Sequence, residues 1–414
     1  MNKPLEWFAN PRRAACADNS ACSEYVPPAA TRRARRFHRQ IPGYRVSPLK
    51  GLDNLAAMLG LGGLWVKDES QRLSLNSFKV LGGSFAVYRY LLRRLGIEDA
   101  DMPFTELVSE SVRRRIGEIT FAAATDGNHG RGVAWAASKL GLRSVIYVHR
   151  GTSQARIEAI ASYGAEVVVV DGTYDDAVRS INRDASAQGW QVISDTSWEG
   201  YRDIPAWVMQ GYTTMFAEAQ EELSAQGLVK PTHIFVQAGV GALAASLTAF
   251  YHGLFGPASP VIVVVEPDRA ACLYSSARAA DGAPHGFPGE LDTIMAGLAC
   301  GDPSPIAWEI LRDCADFFVS CPDYVAALGM RVYAVPLVDD PFIVSGESGA
   351  VTLGALMATV LFPGLRDFRR SLRLDADSQV LLLNTEGNTD PDHFRRVVWM
   401  GSVPVPAEAE ERGE

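Results

Sequence analysis

The sequence predicts two open, mostly parallel α/β domains. Three observations carry this. Short apolar, β-rich runs alternate with longer helical segments from about residue 40 onward. The runs are continuously apolar, the pattern of strands buried on both faces of a parallel sheet. They fall into two series, and a chain of 414 residues exceeds one typical hydrophobic core.

Taken in order, residues 1–40 are polar and basic and are set aside as an N-terminal extension. Leu64-Trp65-Val66-Lys67 reads as a strand that leads, through a polar turn, to a helical pattern opening at Lys79. The first series of strands is Ile119-Thr120-Phe121-Ala122, Val145-Ile146-Tyr147-Val148, Val167-Val168-Val169-Val170 and Val192-Ile193. The second is Ile234-Phe235-Val236, Val261-Ile262-Val263-Val264-Val265, Phe317-Phe318-Val319 and Val380-Leu381-Leu382-Leu383. Residues 86–198 are therefore assigned to a smaller domain. Residues 41–85 and 199–414 form a larger one, which the chain leaves and re-enters.

Composition narrows the function. With 47% hydrophobic and 21% charged residues the chain is globular, and its net charge of −9 argues against general nucleic-acid binding. The basic cluster Arg32-Arg33-Ala34-Arg35-Arg36 reads as a solvated helix face, because no aromatic residue interleaves with it. Six cysteines, at 16, 22, 272, 300, 314 and 321, form no C-x-x-C pair. Reduced thiols and no metal site are expected. The first residues lack the apolar core of a signal peptide, and no apolar stretch reaches the ~18–20 residues of a membrane span. A cytoplasmic protein without a membrane partner is the expectation.

Six stretches carry chemistry. Lys79 sits among apolar and small residues, in Ser77-Phe78-Lys79-Val80-Leu81-Gly82-Gly83. Burying an ammonium is costly, and a desolvated lysine amine becomes the nucleophile that imine formation needs. The glycine loop Gly239-Val240-Gly241-Ala242-Leu243 follows a strand and opens a helix, where bare amides attract an anion. It fits a phosphate monoester, a plain strand–helix turn, or a dinucleotide site with Glu266 at the end of the next strand. In Thr125-Asp126-Gly127-Asn128-His129-Gly130, side chains and amides either grip a substrate carboxylate or simply cap a helix. Ser194-Asp195-Thr196-Ser197 and Asn384-Thr385-Glu386-Gly387 lie at strand ends, and Ser345-Gly346-Glu347-Ser348 offers small residues for close contact with a ligand. Strand-end loops are where open α/β sheets bind ligands.

Together these stretches resemble the fold-type II, tryptophan synthase β-like pyridoxal 5′-phosphate (PLP) enzymes. The run from Ala123 to Trp135, Asp195 to Tyr201, Thr293 to Leu298 and Asn384 to Gly387 resemble the diaminopropionate ammonia-lyase family in particular. The resemblance implies that Lys79 forms the Schiff base. It implies that Gly239, Val240, Gly241, Ala242 and Leu243 bind the phosphate. Asn128 would meet the 3′-oxygen and Thr385 the pyridine nitrogen. Asp126, where related dehydratases carry serine, and Asp195 would be the catalytic carboxylates beside Lys79. Carboxylates suit a substrate with a cationic β-amine. The candidate substrate contacts are Ser77, Thr125, Asp126, Asn128, His129, Asp195 and Ser348.

The implied activity is elimination of 2,3-diaminopropionate to pyruvate and ammonia by a homodimer. Before the lysine the chain departs from the family at Gln71, Leu73, Ser74 and Ser77, where Tyr, Phe, Gly and Ala are usual. The alternative is a PLP-dependent eliminase, dehydratase or β-replacement enzyme for another β-substituted amino acid, such as serine or threonine.

Overall fold

The computed structural model describes residues 5–13, 20–125 and 127–407. Among the described residues, eleven strands build two sheets. Their ranges are β1 Glu6–Ala9, β2 Leu49–Gly51, β3 Gly63–Asp68, β4 Thr120–Thr125, β5 Arg143–His149 and β6 Glu166–Val170. They continue with β7 Gln191–Val192, β8 His233–Gln237, β9 Val261–Pro267, β10 Phe317–Cys321 and β11 Gln379–Asn384. The larger sheet has the order β1-β10-β9-β8-β11-β3-β2 and the smaller β6-β5-β4-β7.

The smaller sheet is parallel throughout. The larger is parallel except at its edges, where β1 and β2 run antiparallel to their neighbours. The continuous apolar runs are the buried parallel strands, as their composition requires. Val380 to Leu383 are fully enclosed, and so are Ile234 to Val236. The four strands of the smaller sheet are consecutive in sequence, whereas β11 returns from the end of the chain to lie between β8 and β3.

The helix Lys79–Arg94 joins the two halves, and glycines let its neighbours close on it. A Cβ on Gly82 would stand 2.4 Å from the Tyr212 ring, and one on Gly211 would stand 2.5 Å from the Leu81 carbonyl oxygen. On the other side, a Cβ on Gly132 would meet the Val80 backbone at 3.0 Å. The helices Asn128–Lys139 and Asp203–Ala225 thus pack at backbone distance against the lysine helix.

The described parts of the N-terminal extension pack onto the fold. β1 pairs with β10, and the helix Pro28–Arg39 buries Ala34, Phe37 and His38. Its basic face is half-buried rather than fully solvated: Arg33 and Arg36 pair with Asp101, and Arg35 with Glu221. The cysteines also depart in part from expectation. Cys22, Cys272 and Cys321 are buried free thiols and Cys300 is a half-buried one, but Cys314 is disulfide-bonded.

Candidate active site

The lysine is presented by a loop that a buried charge cluster helps to hold in place. After β3 the chain turns through residues 69–78. There Arg72 donates to Glu69 at 2.7 and 2.8 Å, to Glu218 at 2.6 and 3.1 Å, to Ser47 at 2.8 Å and to the Arg45 carbonyl at 2.9 Å. The side chains of Lys67, Glu69, Arg72 and Glu218 are fully buried. Burial alone would push the Glu218 carboxyl up, but Arg72 and Lys67 outweigh it and hold it at about 2. Leu73, Ser74 and Asn76 adopt left-handed backbone, with φ of 49°, 61° and 54°. The loop closes on the strand-end motif of β11: Ser77 bridges to Glu386, and Phe78 N–H donates to the Thr385 carbonyl at 3.1 Å.

Lys79 is the first residue of its helix, and its amine is paired with a carboxylate. Nζ lies 2.5 Å from Asp195 Oδ2, with the lysine side chain 19% exposed and the aspartate 7%. Burial would raise the Asp195 carboxyl; Lys79 and then His129 overcome this and hold it at about 2. His129 Nε2 lies 2.8 Å from the Ile193 carbonyl, which can only accept, so that nitrogen carries a proton.

The loop after β4 brings the other sheet to the lysine. Thr125 Oγ accepts from Gly127 N–H at 2.9 Å and Gly130 N–H at 3.0 Å, so this hydroxyl shapes the turn into the helix Asn128–Lys139. Asn128 Nδ2 donates to Glu386 Oε2 at 2.6 Å across the gap between the sheets. Glu386 Oε1 accepts from Ser348 N–H at 3.1 Å. Asp126 lies outside the described residues.

The glycine loop leads into a helix start that no side chain caps. Gly241 precedes that helix, Ala242–Phe255, with φ of 98°. A Cβ on Gly241 would meet Ala307, Leu273 and Leu311 at 3.2–3.3 Å, and one on Gly239 would meet Cys300 Sγ at 3.0 Å. Backbone, not side chain, therefore faces whatever binds there. Glu266 is not available to a ribose. It is fully buried and accepts from Leu273 N–H at 2.8 Å and Tyr274 N–H at 2.7 Å, at the start of the helix Cys272–Ala279. Its carboxyl is pushed up to about 8 by burial. The dinucleotide reading of the loop loses its acidic residue.

Ser77, Lys79, Thr125, Asn128, His129, Asp195, the loop Gly239 to Leu243, Ser348 and Thr385 all line one pocket. It lies between the carboxyl ends of the strands of both sheets, where a parallel fold places its ligands. The sequence did not single out Gln237 or Tyr174, which also line it, or give Glu386 a role of its own. Glu386 stands inside the strand-end motif, and Gln237 inside the stretch Val236 to Ala245 that carries the glycine loop. Tyr174, from the helix after β6, gave no signal.

The pyridoxal-phosphate dependent enzyme family matches residues 41–386. The chain belongs to this family. It is 48% identical over 373 residues to the diaminopropionate ammonia-lyase of Escherichia coli (strain K12), covering 90% of this chain and 92% of that one. The holo diaminopropionate ammonia lyase structure from Escherichia coli superposes with a TM-score of 0.90 at 43% identity, over 98% of this chain and all of the other. The same enzyme in complex with an aminoacrylate-PLP azomethine reaction intermediate gives a TM-score of 0.89 at 44% identity, over 98% and 99% of the two chains.

The fold is thus that of the fold-type II enzymes, the chain is a member of the diaminopropionate ammonia-lyase group, and its cofactor is PLP. The residues present fit that cofactor. An uncapped helix start suits the phosphate, Lys79 reaches the pocket, and two buried atoms among the pocket residues, Ser348 Oγ and Gln237 Oε1, have no protein partner.

Proposed function

We propose that this enzyme eliminates the β-amine of 2,3-diaminopropionate, yielding pyruvate and two molecules of ammonia once water completes the reaction. The observation that carries the reading is the Lys79–Asp195 pair, 2.5 Å apart, in the same pocket as the glycine loop. When bound, PLP withdraws electron density from the substrate Cα and makes its proton removable. The protein supplies the rest. Lys79 anchors the cofactor covalently, and its freed amine takes the α-proton of the L-substrate. Asp126 takes that of the D-substrate, on the family resemblance. Asp195, ionised across the working pH range, pairs with the Lys79 amine and faces the cationic β-amine, which departs as neutral ammonia without needing a further proton. The loop from Gly239 to Leu243 holds the phosphate, and Asn128 holds the 3′-oxygen while tied to Glu386.

Borohydride reduction of the PLP-loaded enzyme, followed by peptide mapping, is expected to fix the cofactor on Lys79. Pyruvate release from D- and L-diaminopropionate, serine, threonine and 3-chloroalanine is expected to favour diaminopropionate. A clear preference for a hydroxy substrate would overturn the substrate assignment, and label on another lysine would overturn the site. The same proposal includes a homodimer, on the family resemblance, and a cytoplasmic location, on the sequence pattern. Sedimentation giving the mass of one chain would refute the dimer, and recovery outside the cytoplasm on cell fractionation would refute the location.

A further inference from the structure

The polarity of the Thr385 hydroxyl is set by Gln237. A threonine facing a ring nitrogen has two options. It donates its hydrogen to an unprotonated nitrogen, or it accepts from a protonated one. Sequence alone leaves both open.

In the structure Gln237 Nε2 lies 2.9 Å from the Ser348 carbonyl oxygen and 3.1 Å from that of Leu383. Carbonyls only accept, so the atom between them is the amide nitrogen and not the amide oxygen. The same Nε2 lies 2.8 Å from Thr385 Oγ. An amide nitrogen does not accept, so whichever two of these three oxygens take its two hydrogens, Thr385 gives none of its own to Gln237. Its own hydrogen is directed elsewhere. Among the described residues the hydroxyl meets no other partner, and it lines the pocket. Gln237 is 1% exposed and Thr385 3%, so both groups are enclosed.

We propose that Gln237 is a positioning residue that fixes Thr385 as a hydrogen-bond donor to the pyridine nitrogen, and so keeps that nitrogen unprotonated. The inference rests on the reading that the ring nitrogen meets Thr385. A ring with an unprotonated nitrogen withdraws less charge, which favours prompt loss of the β-amine over return of the α-proton or transamination.

The test is the ¹⁵N NMR signal of ring-labelled PLP bound to the full-length enzyme, read for wild type, Gln237→Leu, Thr385→Val, their double variant and Thr385→Ser. Wild type is expected to show an unprotonated, hydrogen-bonded nitrogen, and Thr385→Ser the same signal. Gln237→Leu is expected to move it toward unbonded pyridine, because the hydroxyl then turns to the carbonyls the amide has left. Its PLP affinity should fall about three- to tenfold, the scale of one neutral hydrogen bond. Thr385→Val should give the same shift and the double variant no further one. Where Gln237→Leu does not fold, Gln237→Met, of similar length and without the amide, replaces it.

A protonated nitrogen in wild type, or a wild-type signal in the Gln237 variant, would overturn the proposal. Failure of the reading beneath it looks different: Thr385→Val would then leave the nitrogen signal unchanged.

Discussion

Replacing Arg72 by methionine tests whether buried charge holds the lysine loop. Methionine keeps much of the apolar stem and removes every N–H. Glu218 is then left with Tyr44, Ser47 and Lys67, and Glu69 with Ser47. Deleting one partner of a buried ion pair costs about 3–5 kcal/mol. Neutralisation sets a similar scale. Protonating one of these carboxyls from an ordinary value of 4.5 costs about 3.4 kcal/mol at pH 7 and only about 0.7 kcal/mol at pH 5. The variant is therefore expected to lose about 3–5 kcal/mol at pH 7, with the deficit shrinking by roughly 2–3 kcal/mol at pH 5.

The sign follows from both states. In wild type the Glu218 carboxyl is held at about 2, so its contribution is present above 4.5 and lost as pH falls through about 2. Wild type loses none of it between pH 7 and 5. In the variant two buried carboxylates, Glu69 and Glu218, are left with the Lys67 charge between them, so taking up a proton relieves the folded state and it gains as pH falls. Urea unfolding of the apoenzyme at the two pH values, followed by tryptophan fluorescence, reads the difference. A deficit below about 1 kcal/mol, or one equal at both pH values, would refute the reasoning.

Other expectations follow from single residues. Asp195→Asn should retain PLP and lower kcat by about 10²–10⁴, the range for a lost proton-transfer group; a change under about threefold would remove Asp195 from the chemistry. Because burial is outweighed by Lys79 and His129, the Asp195 carboxyl sits at about 2, and stability drawn from it should persist above pH 3.8 and vanish as pH falls through about 2. Acid titration of apo wild type against Asp195→Asn measures this. Gly241→Ala forces a side chain into left-handed backbone and into contacts at 3.2–3.3 Å, so PLP affinity should fall at least about tenfold. Equilibrium dialysis checks it, and unchanged affinity would count against phosphate binding by the loop. Ser74→Gly relieves a φ of 61° and should stabilise the loop by up to about 1 kcal/mol in urea unfolding. A loss of stability would show that the serine side chain earns its strained position.

Most of the sheet framework was legible because buried parallel strands write themselves as unbroken apolar runs. Val261 to Val265 and Val380 to Leu383 fall inside β9 and β11. β1 and β2 were not legible. They are three- and four-residue edge strands, half-exposed, so no run of apolar side chains marks them. The pocket residues could be read where backbone demands are severe, as at Gly241, or where a reactive side chain stands among small residues, as at Lys79.

The Arg72 cluster was hidden for the opposite reason. Arginine and glutamate ordinarily mark surface, and only the approach of Glu218 from a distant helix makes this group an interior. Gln237 was missed because an amide at a strand end has no distinctive pattern; its meaning lies in three oxygens contributed by two other segments.

The place of β11 bears on how the protein is made. It lies between β8 and β3, and the residues just beyond it brace the loop that carries the lysine. A nascent chain on the ribosome therefore displays Lys79 early, while the larger sheet is still split into β1-β10-β9-β8 on one side and β3-β2 on the other. Until residues 379–384 emerge, the reactive amine has no finished pocket around it. Cofactor capture thus becomes a late event in biogenesis, and a truncated translation product would leave its lysine without the means to hold PLP.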